Sequence, residues 1–340
     1  MNFENTPDVS VVIPYFNQPE QLAQVLDDLL RQEAVSLEVF VVDDASERRC
    51  DAVIAGFGQK GLPVTLLRQP QRAYTLAARL RGMREIRGRW LAFMDSDDGL
   101  CSSTAYAEAV ALADTAQADI LHYGTLAPNN GGRLQDWHNA KPFAKDVLEG
   151  ENIFTVWLAS GCPAHSVWNK LYARSLYRRL LALRHDIPIY RIEDFYLTAH
   201  FLALAQRYAP CNIPVYKYAP PKGMHLEKAA ARALDAMRMY LALPQQLETL
   251  GLAPAQSRAF RIFLRKMVTL NAGRMCRLLR QKHSLPDGSP DSEAVKRMRS
   301  YGSAQEFFLA LCIVNASNAR KLKEVCSGNT LSQCGMRSKT

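Results

Sequence analysis

The amino-acid sequence lacks the features that mark several large classes of protein. Its longest apolar run, at residues 307–314, is eight residues long, whereas a membrane-spanning helix needs about 20. The residues after Met1 form neither a basic nor an apolar stretch, so we predict no signal peptide. The eight cysteines include no C-x-x-C pair and no histidine spacing typical of a zinc site. We therefore expect reduced thiols in a cytoplasmic protein.

Positive charge is in excess, and the excess lies in one part of the chain. The 340 residues carry 42 lysines and arginines and 33 acidic residues, for a formal net charge of +9. Residues 1–220 hold 22 basic and 25 acidic side chains, whereas residues 221–340 hold 20 basic and 8 acidic ones. We predict one domain at 1–220, a basic helical region at 221–325 and a flexible tail at 326–340.

The first 220 residues alternate short β-branched runs with segments of helical periodicity. Strands are predicted at 9–13, 38–42, 63–67, 90–94 and 119–122, with helices between them at 19–31, 47–57, 74–86 and 103–115. Strands that are apolar throughout indicate βαβ units and a buried, largely parallel sheet, which is an α/β fold. Such sheets bind ligands at the carboxyl ends of their strands.

Two acidic clusters follow strands of this predicted sheet. Asp43 and Asp44 end the second strand, and Asp95, Asp97 and Asp98 follow the fourth. Like charges so close repel one another, and a divalent cation bound through oxygen ligands would supply the counter-charge. The alternative is that Asp44 and Asp98 cap the helices that follow. Capping would explain one acid in each cluster and leave the others without a role.

A third acidic pair, Glu193 and Asp194, opens a helical stretch predicted at 195–204. Acids in a first turn complement the helix dipole, and this is the simpler interpretation of the pair alone. The preceding Tyr190 and Arg191, together with the two earlier clusters, favour a carboxylate that faces the same cleft.

Four sequence blocks, in this order, resemble the inverting family 2 glycosyltransferases. The blocks are VSVVIPYFN at 9–17, EVFVVDDAS at 38–46, GRWLAFMDSDD at 88–98, and VWNKLY at 167–172 followed by IEDFYL at 192–197. The resemblance covers about residues 8–220 and is strongest to bacterial enzymes of surface-polysaccharide and lipopolysaccharide synthesis. It implies a GT-A fold, a Rossmann-like sheet flanked by helices that binds a nucleotide-sugar.

The resemblance implies donor-binding roles for residues of the first three blocks. Pro14, Tyr15 and Asp44 would lie around the base and ribose of the nucleotide-sugar, with Asp43 beside them. Arg79 would contact the diphosphate or serve a structural role. The family often has asparagine after this arginine, and its absence here puts the donor-sugar contact on that side in doubt.

The resemblance also implies a metal and a base. Asp95 and Asp97 would be the acids of the D-x-D motif, with Asp97 in direct contact with Mn²⁺ or Mg²⁺, and Asp98 would shape the donor-sugar site. Asp194 would be the catalytic base, supported by Glu193. A cation would offset the charge that grows on the leaving diphosphate, and a base would take the proton of the acceptor hydroxyl.

Three further residues are weaker candidates. Trp168 and Lys170 would line the acceptor cleft, since aromatic rings stack on sugars, or they would be packing residues of a helix. His225 would complete the metal shell, or it would be an ordinary surface residue.

Residues 257–282 combine an apolar stripe with interleaved arginines. This pattern fits a helix lying on an anionic membrane, or one that packs its apolar stripe on the preceding domain. Nucleic-acid binding is not expected, because no known motif for it is present.

Taken together, these patterns predict a metal-dependent inverting glycosyltransferase of the hexosyl or N-acetylhexosaminyl type. It would transfer sugar from a nucleotide-diphosphate-sugar, with UDP favoured, to a hydroxyl of a glycan or lipid-linked acceptor. The expected location is the cytoplasm, including the inner face of the cytoplasmic membrane. The alternative is a non-catalytic or other nucleotide-binding, membrane-associated protein on the same fold.

Overall fold

Strands joined by helices build the first 220 residues, as the alternation in the sequence predicts. The computed structural model describes residues 6–129, 131–183, 185, 192–219, 236, 240, 243 and 252–267. The chain divides into two compact units. The first comprises Met1–Pro221 and Leu247–Ser257, and the second comprises Lys222–Gln246 and Arg258–Thr340. In the second unit, residues 258–267 are helical and bury Phe260 and Leu264. The basic helical region at 221–325 and the tail at 326–340 stay predictions.

The described part of the first unit contains ten strands and seven α-helices. The strands are β1 (Val9–Tyr15), β2 (Leu37–Asp43), β3 (Val64–Arg68), β4 (Trp90–Phe93), β5 (Gly99–Leu100), β6 (Ile120–Pro128), β7 (Leu134–Asp136), β8 (Leu148–Glu149), β9 (Lys170–Ala173) and β10 (Arg207–Lys217). The helices are α1 (Pro19–Leu30), α2 (Asp51–Gln59), α3 (Tyr74–Glu85), α4 (Ala105–Thr115), α5 (Glu151–Ala159), α6 (Arg174–Leu181) and α7 (Glu193–Leu204). Among these described helices, none is long and apolar enough to cross a membrane.

All ten strands belong to one mixed sheet. Its main order is β3-β2-β1-β4-β9-β6-β10-β5, with β7 paired to β6 and β8 to β10. The first four strands pair in parallel, whereas β9 runs antiparallel between β4 and β6. After β3 the chain crosses β2 and β1 to form β4, so the strand order reverses between β1 and β4. Ligand crevices in α/β sheets form at such a reversal, outside the carboxyl ends of the strands.

The predicted α/β architecture is confirmed, and its first half agrees closely with the structure. Each of the first four predicted strands begins within one residue of its observed position. The helix predicted at 47–57 begins later, at Asp51, and the strand predicted at 119–122 extends to Pro128. Helix α1 shows why the pattern works, because Pro19 occupies its first turn and its apolar stripe is buried, at Leu22, Val25, Leu26 and Leu29.

A single buried carboxylate ties β1, β2 and the turn before β4 together at the end of the sheet away from the crevice. Glu38 Oε1 accepts hydrogen bonds from Ser10 Oγ at 2.5 Å, Arg87 N at 2.5 Å and Gly88 N at 3.1 Å. Gly88 has no space for a side chain, because a Cβ there would lie 2.6 Å from Ser10 N. Glu38 therefore satisfies two buried donors, Ser10 Oγ and Gly88 N, and one part-buried donor, Arg87 N.

We expect Glu38→Ala to lower the free energy of unfolding by about 3 kcal/mol, because it leaves buried donors without an acceptor. Urea denaturation of the full chain measures this loss. The exposed Glu47 is the matched control, and Glu47→Ala should change stability by less than about 0.5 kcal/mol. Equal midpoints for the two variants would contradict the assigned role of Glu38.

Candidate active site

A cavity of about 370 Å³ lies at the carboxyl ends of β1, β2 and β4, beside α3 and the start of α7. Its lining comprises Pro14, Tyr15, Phe16, Gln18, Asp44, Arg72, Thr75, Ala78, Arg79, Asp95, Ser96, Asp97, Glu193 and Asp194. Five carboxylates and two guanidinium groups therefore face one space. The three acidic segments, which are far apart in the sequence, meet here.

Asp44 shapes the loop between β3 and α3. Its Oδ1 accepts hydrogen bonds from Gln69 Nε2 at 2.9 Å and Ala73 N at 2.7 Å, and its Oδ2 accepts one from Tyr74 N at 2.8 Å. The side chain lines the cavity, but its carboxylate already has three donors. Asp44 thus holds in place the loop that carries Arg72.

Asp43 points away from the cavity. It is fully buried, accepts a hydrogen bond from Ser46 N at 2.9 Å, and forms an ion pair with Arg68, whose Nε lies 3.0 Å away. It is absent from the cavity lining, unlike its neighbour Asp44. Its position supports a structural role in closing the turn after β2.

The helix-capping alternative for the aspartates is wrong. The residue at the N-cap of α2 is Cys50, and the one at the N-cap of α4 is Thr104. Asp44 and Asp98 lie several residues before these helices. Asp98 forms its hydrogen bonds with Tyr216 and Ala219. Asp44 accepts hydrogen bonds from the backbone N–H groups of Ala73 and Tyr74 at the start of α3, a different helix from the one predicted.

Aromatic rings and one arginine form the part of the cavity near β1. The Tyr15 hydroxyl donates a hydrogen bond to Arg48 O at 2.5 Å, and burial raises the pKa of Tyr15 to about 12. The Arg72 guanidinium lies 4.1 Å from the ring centroid of Phe16 and 4.9 Å from that of Tyr74. Sequence reasoning missed Arg72. The signal for it was a basic residue in the loop after the third strand, where a parallel sheet presents ligand contacts.

The three aspartates after β4 are in different environments. Asp95 Oδ1 lies 2.8 Å from Arg79 Nη2, whereas the exposed Asp97 makes no ion pair or hydrogen bond to another described side chain. Asp98 is buried outside the cavity lining, where it accepts hydrogen bonds from Tyr216 Oη and Ala219 N, both at 2.7 Å. Burial raises the pKa of Asp98 to about 8. The two acids of the D-x-D pattern therefore face the cavity and the third does not.

Arg79 connects this loop with the first turn of α7. Its Nη1 lies 3.2 Å from Glu193 Oε1 and also pairs with Asp194 Oδ1. The side chain of Arg79 is only 1 % exposed, against 16 % for Glu193 and 24 % for Asp194. Burial and the adjacent Asp194 raise the pKa of Glu193 to about 7, although Arg79 acts in the opposite direction. One cation thus lies among three carboxylates.

The oxygen donors at Asp95 and Asp97 suit a hard divalent cation. Within the described residues, no three histidine, cysteine or acidic side chains converge as a metal cluster. Mg²⁺ is commonly bound through one or two carboxylates together with substrate phosphates, rather than by an all-protein cage. The residues therefore fit a cation that is shared with a diphosphate.

The weaker candidates for an acceptor or metal site lie elsewhere. Lys170 is fully buried at the start of β9, where its Nζ donates to Ala164 O at 3.0 Å and Ser166 O at 2.5 Å. Burial lowers the pKa of Lys170 to about 7. Trp168 stacks on Tyr216, with ring centroids 4.5 Å apart. Neither side chain lines the cavity. Both are packing residues, but Lys170 lies on a strand and Trp168 in the loop before it, and not on a helix. His225 lies outside the described residues.

A sequence family matches the part of the chain that holds most of the cavity lining, whereas Glu193 and Asp194 lie beyond the matched range. The model of Glycosyl transferase family 2 matches residues 10–181. The chain belongs to glycosyl transferase family 2. It is 23% identical over 285 residues to the Escherichia coli glycosyltransferase YibD, covering 82% of this chain and 81% of that protein. It is also 26% identical over 338 residues to the succinoglycan biosynthesis protein ExoO of Rhizobium meliloti, covering 86% of this chain and 95% of the relative.

Solved structures show that this glycosyltransferase has the GT-A fold. S. aureus TarS 1–349 in complex with UDP is 15% identical with a TM-score of 0.60, covering 98% of this chain and 93% of that one. The mannosyltransferase PcManGT from Pyrobaculum calidifontis, in complex with GDP-Man and Mn²⁺, is 16% identical with a TM-score of 0.54. This match covers 97% of this chain and 89% of the PcManGT chain.

Proposed function

We propose that this family 2 enzyme is a metal-dependent inverting glycosyltransferase that transfers a hexosyl or N-acetylhexosaminyl group from a UDP-sugar. The observation that carries the proposal is the concentration of five carboxylates and two guanidinium groups at the strand-order reversal. A nucleotide diphosphate is itself an anion, and a cavity of this charge would repel it. A divalent cation removes that repulsion, and its charge stabilises the leaving diphosphate.

The donor extends along the cavity between two chemically distinct regions. Pro14, Tyr15 and the loop held by Asp44 receive the nucleoside, with Arg72 beside it. Asp95 and Asp97 would hold the cation and, through it, the diphosphate. TarS with UDP-GlcNAc and PcManGT with GDP-Man share this fold and support a nucleotide-diphosphate-sugar as the donor, of which UDP is the nucleotide that we propose.

Asp194 acts as the general base in this proposal. An acceptor hydroxyl transfers its proton to the Asp194 carboxylate while its oxygen forms a bond to the anomeric carbon of the donor. The bond from that carbon to the diphosphate oxygen breaks on the opposite face, so the configuration inverts. Glu193 supports the base by sharing Arg79 with it.

The acceptor is proposed to be a glycan or lipid-linked intermediate of bacterial cell-surface polysaccharide synthesis, used at the inner face of the cytoplasmic membrane. The support is the similarity along most of the chain to a succinoglycan biosynthesis protein. The anionic-membrane contact predicted for residues 257–282 stays a prediction, since residues 268–282 lie outside the described part of the chain.

A panel of nucleotide-sugars tests the proposed function directly. Purified full-length protein with Mn²⁺ or Mg²⁺ is heated alone and with UDP-, GDP-, dTDP- or CMP-sugars, and donor hydrolysis is measured in parallel. We expect UDP-sugars to raise the midpoint temperature, since a ligand at 100 times its Kd adds about 2.7 kcal/mol of stability. Chelation should abolish the rise. Binding without any turnover would favour the non-catalytic alternative, and no binding to any nucleotide-sugar would refute the proposal.

A further inference from the structure

Arg79 occupies an unusual position for an arginine in a ligand cavity. Its side chain is 1 % exposed, and its two terminal nitrogens are directed at carboxylates on two separate elements. Nη2 lies 2.8 Å from Asp95 Oδ1, after β4, and Nη1 contacts both acids that open α7. No other lysine or arginine in the described part of the chain forms an ion pair with these acids.

Arg79 lies on a helix that packs closely on the sheet. Helix α3 lies so close to β1 that a Cβ on Gly82 would come within 2.5 Å of Val12 Cγ1. The guanidinium also lies 5.6 Å from the ring centroid of Phe93, on the strand that leads to Asp95. The packing of α3 on the sheet and the ring of Phe93 thus help to fix the position of the guanidinium.

The start of α7, in contrast, is strained. Ile192 has a φ angle of 64°, in the left-handed region, which β-branched residues rarely adopt because of steric clash. Such a conformation costs about 1–3 kcal/mol and persists only where surrounding contacts enforce it. The bonds from Arg79 to Glu193 and Asp194 are contacts of this kind.

We propose that Arg79 is a positioning residue that fixes the base-bearing turn of α7 against the donor-binding loop after β4. The inference rests on the proposed function, because it assigns Arg79 to the placement of Asp194. A planar guanidinium fork directed at two elements sets both the distance and the orientation between them. Since both terminal nitrogens are committed to carboxylates, we assign Arg79 to alignment and not to diphosphate binding.

If the contacts of Arg79 are lost, we expect Asp194 to be misaligned with the donor-binding loop after β4. Without Arg79, Asp95, Glu193 and Asp194 would repel one another across the cavity. A shift of about 1 Å in the position of a reacting group lowers the rate by about 100-fold. The donor would still bind, because Asp97 and the nucleoside contacts do not involve Arg79, and the Asp95 carboxylate itself is kept when its ion pair is lost.

The test compares Arg79→Ala and Arg79→Lys with Arg81→Ala. Arg81 is the matched control, since it lies on the same helix but is exposed and outside the cavity lining. Three quantities are measured on the full chain: the kcat of UDP-sugar turnover, the Kd for UDP with Mn²⁺, and hydrogen exchange of the α7 amides. We expect about 100-fold lower kcat for Arg79→Ala and about 10-fold for Arg79→Lys, which keeps the charge but loses the fork. The Kd should change less than about threefold, and the first turn of α7 should exchange faster only in the Arg79 variants.

Two results would overturn the inference. If the Kd for UDP weakens as much as kcat/KM falls, Arg79 is a donor ligand. If α7 exchange is unchanged, other contacts hold the turn. Should Arg79→Ala fail to fold, Arg79→Lys decides between the same outcomes. A wild-type enzyme that binds no nucleotide-sugar would refute the proposed function, whereas the exchange measurement still decides whether Arg79 positions α7.

Discussion

Asp194→Asn is expected to reduce sugar transfer by about 10³-fold and to leave donor affinity nearly unchanged. Asparagine has almost the same shape and keeps an oxygen that accepts a hydrogen bond from Arg79, so the turn of α7 should stay in place. Its amide cannot take a proton from the acceptor hydroxyl. The loss should therefore appear in kcat, measured as release of UDP with saturating donor.

Glu193→Gln is the matched control for this substitution. Glu193 is the adjacent residue on the same turn and contacts the same guanidinium, so both variants replace a carboxyl group by an amide at one place. If Asp194 is the base, the Glu193 variant should retain at least about tenfold more activity than the Asp194 variant. Equal losses, or a nearly active Asp194→Asn enzyme, would remove Asp194 from the role of base.

Asp97→Asn should have the second large effect, and it should act through the cation. Asp97 is the cavity aspartate that has neither an ion pair nor a hydrogen bond with another described side chain, so its charge is available to a divalent ion. Stabilisation of the leaving group by a metal is worth several kcal/mol, which corresponds to about a thousandfold in kcat/KM. We expect a loss of this size, and weaker binding of Mn²⁺ in the presence of UDP, measured by isothermal titration calorimetry.

Asp98→Asn separates a cavity role from a general effect on this loop. Asp98 is next in the chain, but it is hydrogen-bonded to Tyr216 and Ala219 outside the cavity lining. Its variant should bind Mn²⁺ with UDP within about threefold of wild type. Full activity of Asp97→Asn would remove Asp97 from the proposed metal site, and full activity of wild type after exhaustive chelation would show that turnover needs no metal.

Short sequence windows were sufficient to predict the strands and helices whose hydrophobic pattern and end signals lie within a few neighbouring residues. The first strands are uniformly apolar runs and α1 carries its own start signal and apolar stripe, so each could be predicted from a short window. Strand β10 was missed for the opposite reason. It contains Pro210 and Pro214, which argue against a strand, and the sheet accommodates them with irregular register. Its place beside β6 depends on residues almost 90 positions away.

The acidic residues show the same division within the site. Their position after strands identified two of the three clusters from the sequence, because strand ends in a parallel sheet share one edge, whereas the third opens a helix. Which acid faces the cavity depends on side-chain direction and on partners from distant elements. Asp43 turns to Arg68 and Asp98 to Tyr216, whereas Asp44, Asp95 and Asp97 line the cavity.

The sequence by itself determined the α/β class, the family resemblance and the ends of the strands at which ligands would bind. These follow from hydrophobic periodicity and from short motifs, which are properties of neighbouring residues. Only the tertiary structure decided that Arg72 faces the cavity and that Arg79 joins Asp95 to the first turn of α7. Arg79 and Asp194 are 115 positions apart, and contact over such a separation is set by the packing of α3 and α7 on one sheet.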